Sequence, residues 1–238
     1  MWASALAADP TRPVLTFYDG ATGERTELSG ATLDNWLAKT ANLLVDGLGL
    51  GSGDTAAVLL PAHWQTAAVL LGCWSAGLAV AHGPRLSRPV DVVFADPDRL
   101  DQAHGIAAGA DVLAVSLHPL GLPMPAVPDG VADFLAEVRG HGDRFTPVDP
   151  PAPDTPALVD LPGGGADLDQ RALVNAAREA AAGRGYRPED RVLVAGDAPR
   201  PLDWLLAPLA VGASTLLCRR CDDESLARIR STERVTTG

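Results

Sequence analysis

Apolar positions along this chain fall into short unbroken runs separated by longer stretches with helical spacing, and the block Thr55 to Gly83 shows this most clearly. TAAVLL, six small or branched residues between Asp54 and Pro61, suits a strand buried on both faces. The next segment carries Trp64, Ala67, Ala68, Leu71 and Trp74 at helical spacing, while Val69, Leu70 and Cys73 fill its other side. That pattern predicts a central helix, apolar nearly all round and ended by Gly77. A second apolar run, LAVAHG, completes a strand, helix, strand unit.

The same rhythm extends in both directions. Val14 to Tyr18 and Glu24 to Leu28 flank DGATG, whose turn-forming residues predict a hairpin. Ser29 is placed to cap a helix through Gly47 with Leu33, Trp36, Leu37, Thr40, Leu43 and Leu44 in one buried stripe. Further strands are predicted at 91–96, 111–117, 157–161, 191–196 and 213–218. Helices are predicted around 97–108, 130–139 and 201–212, after the capping residue Asp169, and in the terminal DESLARIRSTER. Strand alternating with helix predicts an α/β fold, a largely parallel sheet flanked by helices. The tract Asp149 to Pro156 (DPPAPDTP) has the composition of a stiff linker, so the chain is expected to form one α/β unit, with a possible division into lobes 1–148 and 157–238.

Composition narrows the partners. Across 238 residues, 47% hydrophobic and 21% charged content is that of an ordinary globular protein with enough chain for a sizeable core. A net charge of -11 opposes phosphate backbones and anionic lipid, arguing against nucleic acid and membrane partners. No apolar stretch approaches the roughly 20 residues needed to span a bilayer, and the N-terminus lacks a basic signal region. Three cysteines are too few for a disulfide framework, so a cytoplasmic protein is expected. Of 19 basic residues only Lys39 is a lysine, and lysine-dependent chemistry would have to use it.

Several constellations invite a chemical reading and a plainer one. Cys218 and Cys221 form a C-x-x-C whose intervening arginines would favour thiolates, but no second pair exists to complete a zinc site, and incidental thiols are the default. His63 follows a strand end, where α/β proteins place ligand groups, although packing or capping is the favoured explanation. Ser75 in GCWSAG lacks the preceding glycine of a nucleophile elbow. The histidines at 82, 104, 118 and 141 show no metal-ligand spacing, and Asp91, Asp96, Asp98 and Asp101 read as a solvated acidic face. The five tryptophans are scattered among helices and serve better as packing anchors than as a stacking platform.

Taken together, VLTFYDGATGERTELSGATLDNWLAKTANLL, the glycine-rich turn Gly49 to Asp54, the strand ending at Pro61 and the pair Ala76 and Gly77 resemble the opening of adenylate-forming enzymes, the AMP-binding and acyl-CoA synthetase superfamily. TPALV, LDQRALVNAA, DRVLVAGDAPRPLDWLLAPLAVGASTLL and SLARIRSTERVT continue the resemblance to the end of the chain. It covers most of this sequence but only the first part of such an enzyme, and short actinobacterial-type relatives of undefined role share that form. The resemblance implies the fold of the family's N-terminal subdomains.

It also implies where ATP would bind. The family's phosphate loop, of the type T-S-G-T-T-G-x-P-K-G, corresponds here to Asp160 to Asp167, DLPGGGAD, which has no hydroxyl and no lysine and carries a carboxylate at each end. Carboxylates so placed repel a triphosphate. Gly163, Gly164 and Gly165 could still form an anion-binding nest, with Arg171, in the first turn of the next helix, expected to be the only nearby cation. The adenine motif Y-G-x-T-E, the ribose aspartate and the lid lysine have no counterpart in the 238 residues, and Lys39 matches neither family lysine. These departures imply a binding, regulatory or assembly module without autonomous adenylation, no catalytic residues or metal, no required cofactor, and a homodimer or protein partner. The alternative is a nucleotide- or acyl-binding enzyme, or half of a split ligase, with ATP or AMP in a repurposed pocket at residues 160–171.

Overall fold

The hairpin expected around DGATG forms in the computed structural model, which describes residues 9–81, 86, 88–160, 166–196 and 200–238. In chain order the elements begin with β1 (Pro13–Asp19), β2 (Glu24–Ser29), α1 (Gly30–Asn42), β3 (Thr55–Leu59), α2 (Trp64–Ala76), β4 (Ala79–Ala81), β5 (Val92–Ala95), α3 (Leu100–Ala107), β6 (Asp111–Ala114), β7 (Ala132–Asp133) and α4 (Phe134–Val138). They continue with β8 (Pro156–Val159), β9 (Leu168–Asp169), α5 (Gln170–Arg184), β10 (Arg191–Ala195), α6 (Ala207–Val211), β11 (Ser214–Arg219) and α7 (Asp223–Thr232). A π turn, Leu43–Gly47, extends α1, and another, Leu202–Leu206, precedes α6. The α/β alternation read from the sequence is the architecture observed.

The chain divides into two units. The first contains the described residues up to Asp34, Pro61–Ala67, and those from Val174 onward; the second contains Asn35–Leu60 and Ala68–Leu173. In the first, four strands lie in the order β10-β11-β1-β2, parallel except for the β1–β2 hairpin. In the second, seven strands lie in the order β7-β6-β5-β3-β4-β8-β9, parallel except for the β8–β9 pair. The two-residue strands β7 and β9 had no apolar run to announce them. Each exists because its neighbour offers an open ladder.

Burial explains why the central runs are unbroken. All described residues of β3, β4 and β5 are buried, as a parallel sheet covered on both faces requires. Removing each Val, Leu or Phe side chain from water contributes about 1.5–3 kcal/mol. Phe94 and Phe134 meet edge to face with ring centroids 5.7 Å apart in the core of the second unit. Trp74 is 2% exposed, and its indole N–H donates to the Ala157 carbonyl at 2.7 Å, so its one polar atom is satisfied inside the core. No helix of the described residues is long and apolar enough to cross a membrane.

Local chemistry sets the boundaries as expected. The Ser29 hydroxyl accepts the Thr32 N–H at 3.2 Å, and the Asp169 carboxylate accepts the Ala172 N–H at 2.6 Å, capping α1 and α5. Gly77 closes α2 at φ +89°, and a Cβ there would lie 2.4 Å from Ser52 Oγ. Gly72 has a different reason: a Cβ would lie 2.5 Å from Cγ2 of Thr40, so α1 and α2 touch backbone to side chain. The Thr40 hydroxyl is fixed by donating to the Trp36 carbonyl at 2.8 Å.

A half-buried ionic network ties the first unit together. Glu233, just beyond α7, accepts from Tyr18 Oη at 2.6 Å, Arg25 Nε at 2.9 Å and Arg191 Nη2 at 2.5 Å. Arg191 also donates to the Thr16 hydroxyl at 3.1 Å. Three strands and the chain's last turn are thereby joined at one carboxylate. Burial alone would raise the Glu233 pKa, but the hydrogen bonds from Arg25, Tyr18 and Arg191 outweigh it and hold it at about 2.

Two outcomes follow for stability. Gly72→Ala is expected to lower unfolding free energy by about 1–3 kcal/mol in urea titrations, because neither helix can recede without opening the core. Since the folded pKa of Glu233 lies below its unfolded value of about 4.3, its contribution is complete above that value and is lost as pH falls toward about 2. Glu233→Gln should therefore be less stable at pH 7 and show a flatter decline between roughly pH 4.3 and 2 when acid unfolding is followed by circular dichroism.

Candidate functional site

The segment that corresponds to a phosphate loop begins where β8 ends. Asp160 follows Val159 with φ +51°, a left-handed conformation rare for a residue with a side chain. Its N–H donates to Asp167 Oδ1 at 3.2 Å, so backbone at one end of the loop is fastened to a side chain at the other. Gly163, Gly164 and Gly165 lie outside the described residues.

Arg88 holds both ends. Its Nη2 donates to Asp167 Oδ2 at 2.6 Å, and its Nε lies 3.4 Å from Asp160 Oδ2. The Asp160 side chain is 7% exposed, whereas that of Asp167 is 46% exposed, so the guanidinium bridges a buried carboxylate and a half-exposed one. This corrects the expectation that Arg171 is the only cation nearby. Nothing in the sequence could have found Arg88, since it lies more than seventy positions from the loop and belongs to no motif.

Arg171 is the second residue of α5 and is exposed. Its backbone N–H donates to the Pro153 carbonyl at 2.9 Å, anchoring the first turn, while its guanidinium has no hydrogen bond or ion pair among the described residues. Gln170 beside it donates from Nε2 to the Trp74 carbonyl at 3.2 Å. The second unit therefore brings together Arg88, Asp160 and Asp167, flanked by a helix start whose one guanidinium is uncommitted.

The remaining candidates have structural duties. Lys39 Nζ donates to the His141 carbonyl at 2.5 Å, and Asn42 one turn later donates to the carbonyls of Gly142 and Arg144 at 2.8 and 2.9 Å. Two members of the acidic cluster are likewise employed by the backbone: Asp91 Oδ2 accepts the Thr55 N–H at 2.8 Å, and Asp96 Oδ1 accepts the Asp98 N–H at 3.0 Å, while Asp98 and Asp101 are exposed. Among the described residues, no group of three or more His, Cys, Asp or Glu could hold a metal ion.

In the first unit, Cys218 is fully buried and Cys221 partly so. Burial pushes the Cys218 thiol up to about 12 and raises that of Cys221. The expectation that neighbouring arginines would favour thiolates is overturned, because desolvation outweighs them and Arg220 is paired with Asp19. His63 is 1% exposed, stacked edge on against Phe17 at 4.4 Å, with Nδ1 accepting the Gln65 N–H at 3.2 Å. It is a packed histidine at the entrance of α2.

A family profile described as AMP-binding enzyme matches residues 2–86. The sulfoacetate–CoA ligase of Cupriavidus necator is 33% identical over 72% of this chain, an alignment that covers 36% of the ligase. An acyl-CoA synthetase structure from Brucella canis superposes with a TM-score of 0.77 at 20% identity, covering 99% of this chain and 46% of that one. The chain thus spans less than half the length of either protein, and the structural likeness shows the shared fold of the synthetases' N-terminal part. A TIGR03089 family protein of Mycobacterium tuberculosis is 42% identical over an alignment covering 97% of this chain and 93% of that protein. At that identity and coverage the chain belongs to the TIGR03089 family, which is related to the AMP-binding enzymes.

Proposed function

We propose that this chain is a binding and assembly module that keeps an adenylate-forming scaffold without catalysing adenylation. The observation that carries this reading is the Arg88 bridge between Asp160 and Asp167. A phosphate loop works by presenting donors and a mobile cation to a triphosphate. Here the ends of the corresponding loop present carboxylates, and the guanidinium beside them is engaged in neutralising those carboxylates. Lys39 is committed to a carbonyl in another segment, so it supplies no substitute.

The same reading assigns the partner surface to the second unit. Leu120, Leu122 and Val127 are 76%, 43% and 37% exposed within a proline-rich connection after β6. The backbone there is held by hydrogen bonds from Ser116 to the Leu122 carbonyl and from Arg139 to the Gly121 carbonyl, and apolar side chains presented on such a fixed segment favour association over solvation, with a second copy of the chain as the proposed occupant.

Relatedness to a CoA ligase makes ATP, AMP and acyl-CoA the ligands to test. Calorimetric titration of the full chain should give no saturable heat with any of them. Saturable ATP binding that is lost in Arg171→Ala would overturn the proposal in favour of a nucleotide-dependent enzyme or split ligase half. For the assembly role, light scattering should return about twice the 24.6 kDa chain mass, reverting to the monomer in Leu120→Ser. A wild-type chain that stays monomeric at high concentration would remove the dimer from the proposal.

A further inference from the structure

The first unit contains a cavity of about 350 Å³ that none of the preceding chemistry uses. It opens between the β1–β2 hairpin, represented by Tyr18, Asp19 and Glu24, and one face of α7, where Ser225, Arg228, Ile229 and Thr232 fall at helical spacing. β1 and β11 run parallel, and Asp19 is in register with Arg219 at their carboxyl ends. The carboxyl edge of parallel strands is where α/β folds leave room for ligands, and the volume falls in the range of small-molecule pockets.

Two buried carboxylates line this cavity, and they are treated differently. Asp19, 5% exposed, is paired with the Arg220 guanidinium and accepts the Ala21 N–H at 2.9 Å. Glu24 has a side chain only 5% exposed and no arginine or lysine within salt-bridge distance among the described residues. Its Oε1 accepts the Thr26 hydroxyl at 2.8 Å and faces His63 Nε2 at 3.6 Å. That separation exceeds a hydrogen bond, and Nε2 has no other partner among the described residues. Because His63 Nδ1 accepts a backbone N–H, the ring proton sits on Nε2 and points at Glu24. Burial lowers the His63 pKa, so the imidazole is neutral near pH 7 and supplies no full counter-charge. Arg219 acts on His63 and Asp19 through space, but among the described residues no arginine or lysine touches Glu24, and a carboxylate enclosed without a contacting cation is a costly arrangement unless something arrives to compensate it.

We infer that this cavity binds a small molecule through a primary ammonium group that pairs with Glu24. The Ser225 and Thr232 hydroxyls offer further acceptors along α7, and Ile229 with the Tyr18 ring gives an apolar wall for the attached carbons. Arg228, at the exposed end, donates to Ser225 Oγ at 3.3 Å and is placed to meet a carboxylate on the same ligand. A plain alkylamine and an α-amino acid share the ammonium, and Arg228 separates them.

The test follows the His63 ring signals and intrinsic fluorescence of the full chain at pH 7.5 while n-butylammonium chloride, n-butanol or sodium butyrate is added at constant ionic strength. Saturable changes are expected with the amine alone, and Glu24→Gln should weaken that binding at least tenfold. L-Leucine should bind more tightly than n-butylamine in the wild type and lose that advantage in Arg228→Ala. No saturable response of the wild type to n-butylamine or leucine would overturn the inference whether or not the Glu24 variant folds. An equal response to n-butanol, or unchanged binding in Glu24→Gln, would do the same.

Discussion

A carboxylate taken out of water needs a donor beside it, and at three places in this chain arginine supplies it. Arg88 compensates Asp160 and Asp167 in the second unit; Arg220 compensates Asp19, and Arg25 with Arg191 compensates Glu233, in the first. The guanidinium suits the task because its fork of donors can serve two acceptors at once, as Arg191 does with Glu233 and Thr16. These pairs close the ends of loops and hairpins that apolar packing alone would leave open. A guanidinium bound to an internal carboxylate is also less available to other anions.

Adenylation stabilises negative charge that develops on phosphates, and the donors must be waiting where that charge appears. The loop ends here are arranged around the opposite problem, the containment of protein carboxylates. In this family member parallel sheets, caps and close helix contacts stand beside a loop, Asp160 to Asp167, whose sequence has no hydroxyl and no lysine. Function is argued from the site, and shared architecture with a ligase does not supply it.

The fold was legible because it rests on periodicity and local chemistry. The unbroken run TAAVLL announced a doubly covered strand, and Ser29, Asp169 and Gly77 announced helix boundaries through capping and a left-handed turn. What stayed hidden depends on distant pairing. β7 and β9 are two residues long and exist by virtue of their neighbours. Arg88 has no motif, and its role appears only when β4 and β8 are paired side by side. The arginines of the C-x-x-C misled for a related reason: sequence shows them adjacent to the thiols, but burial outweighs them. Glu24 was read only as a strand residue, because a missing counter-charge is visible only once every neighbour has been placed.

The seven-stranded sheet ends in β7 on one side and β9 on the other, each two residues long. A long, flat edge strand presents a row of unpaired N–H and C=O groups on which another chain can assemble. Strands this short offer almost no such template, so the most apolar sheet of the molecule is guarded at both margins against edge-to-edge aggregation. A chain whose central strands are so uniformly hydrophobic can in this way be crowded in solution without propagating its sheet from one molecule to the next.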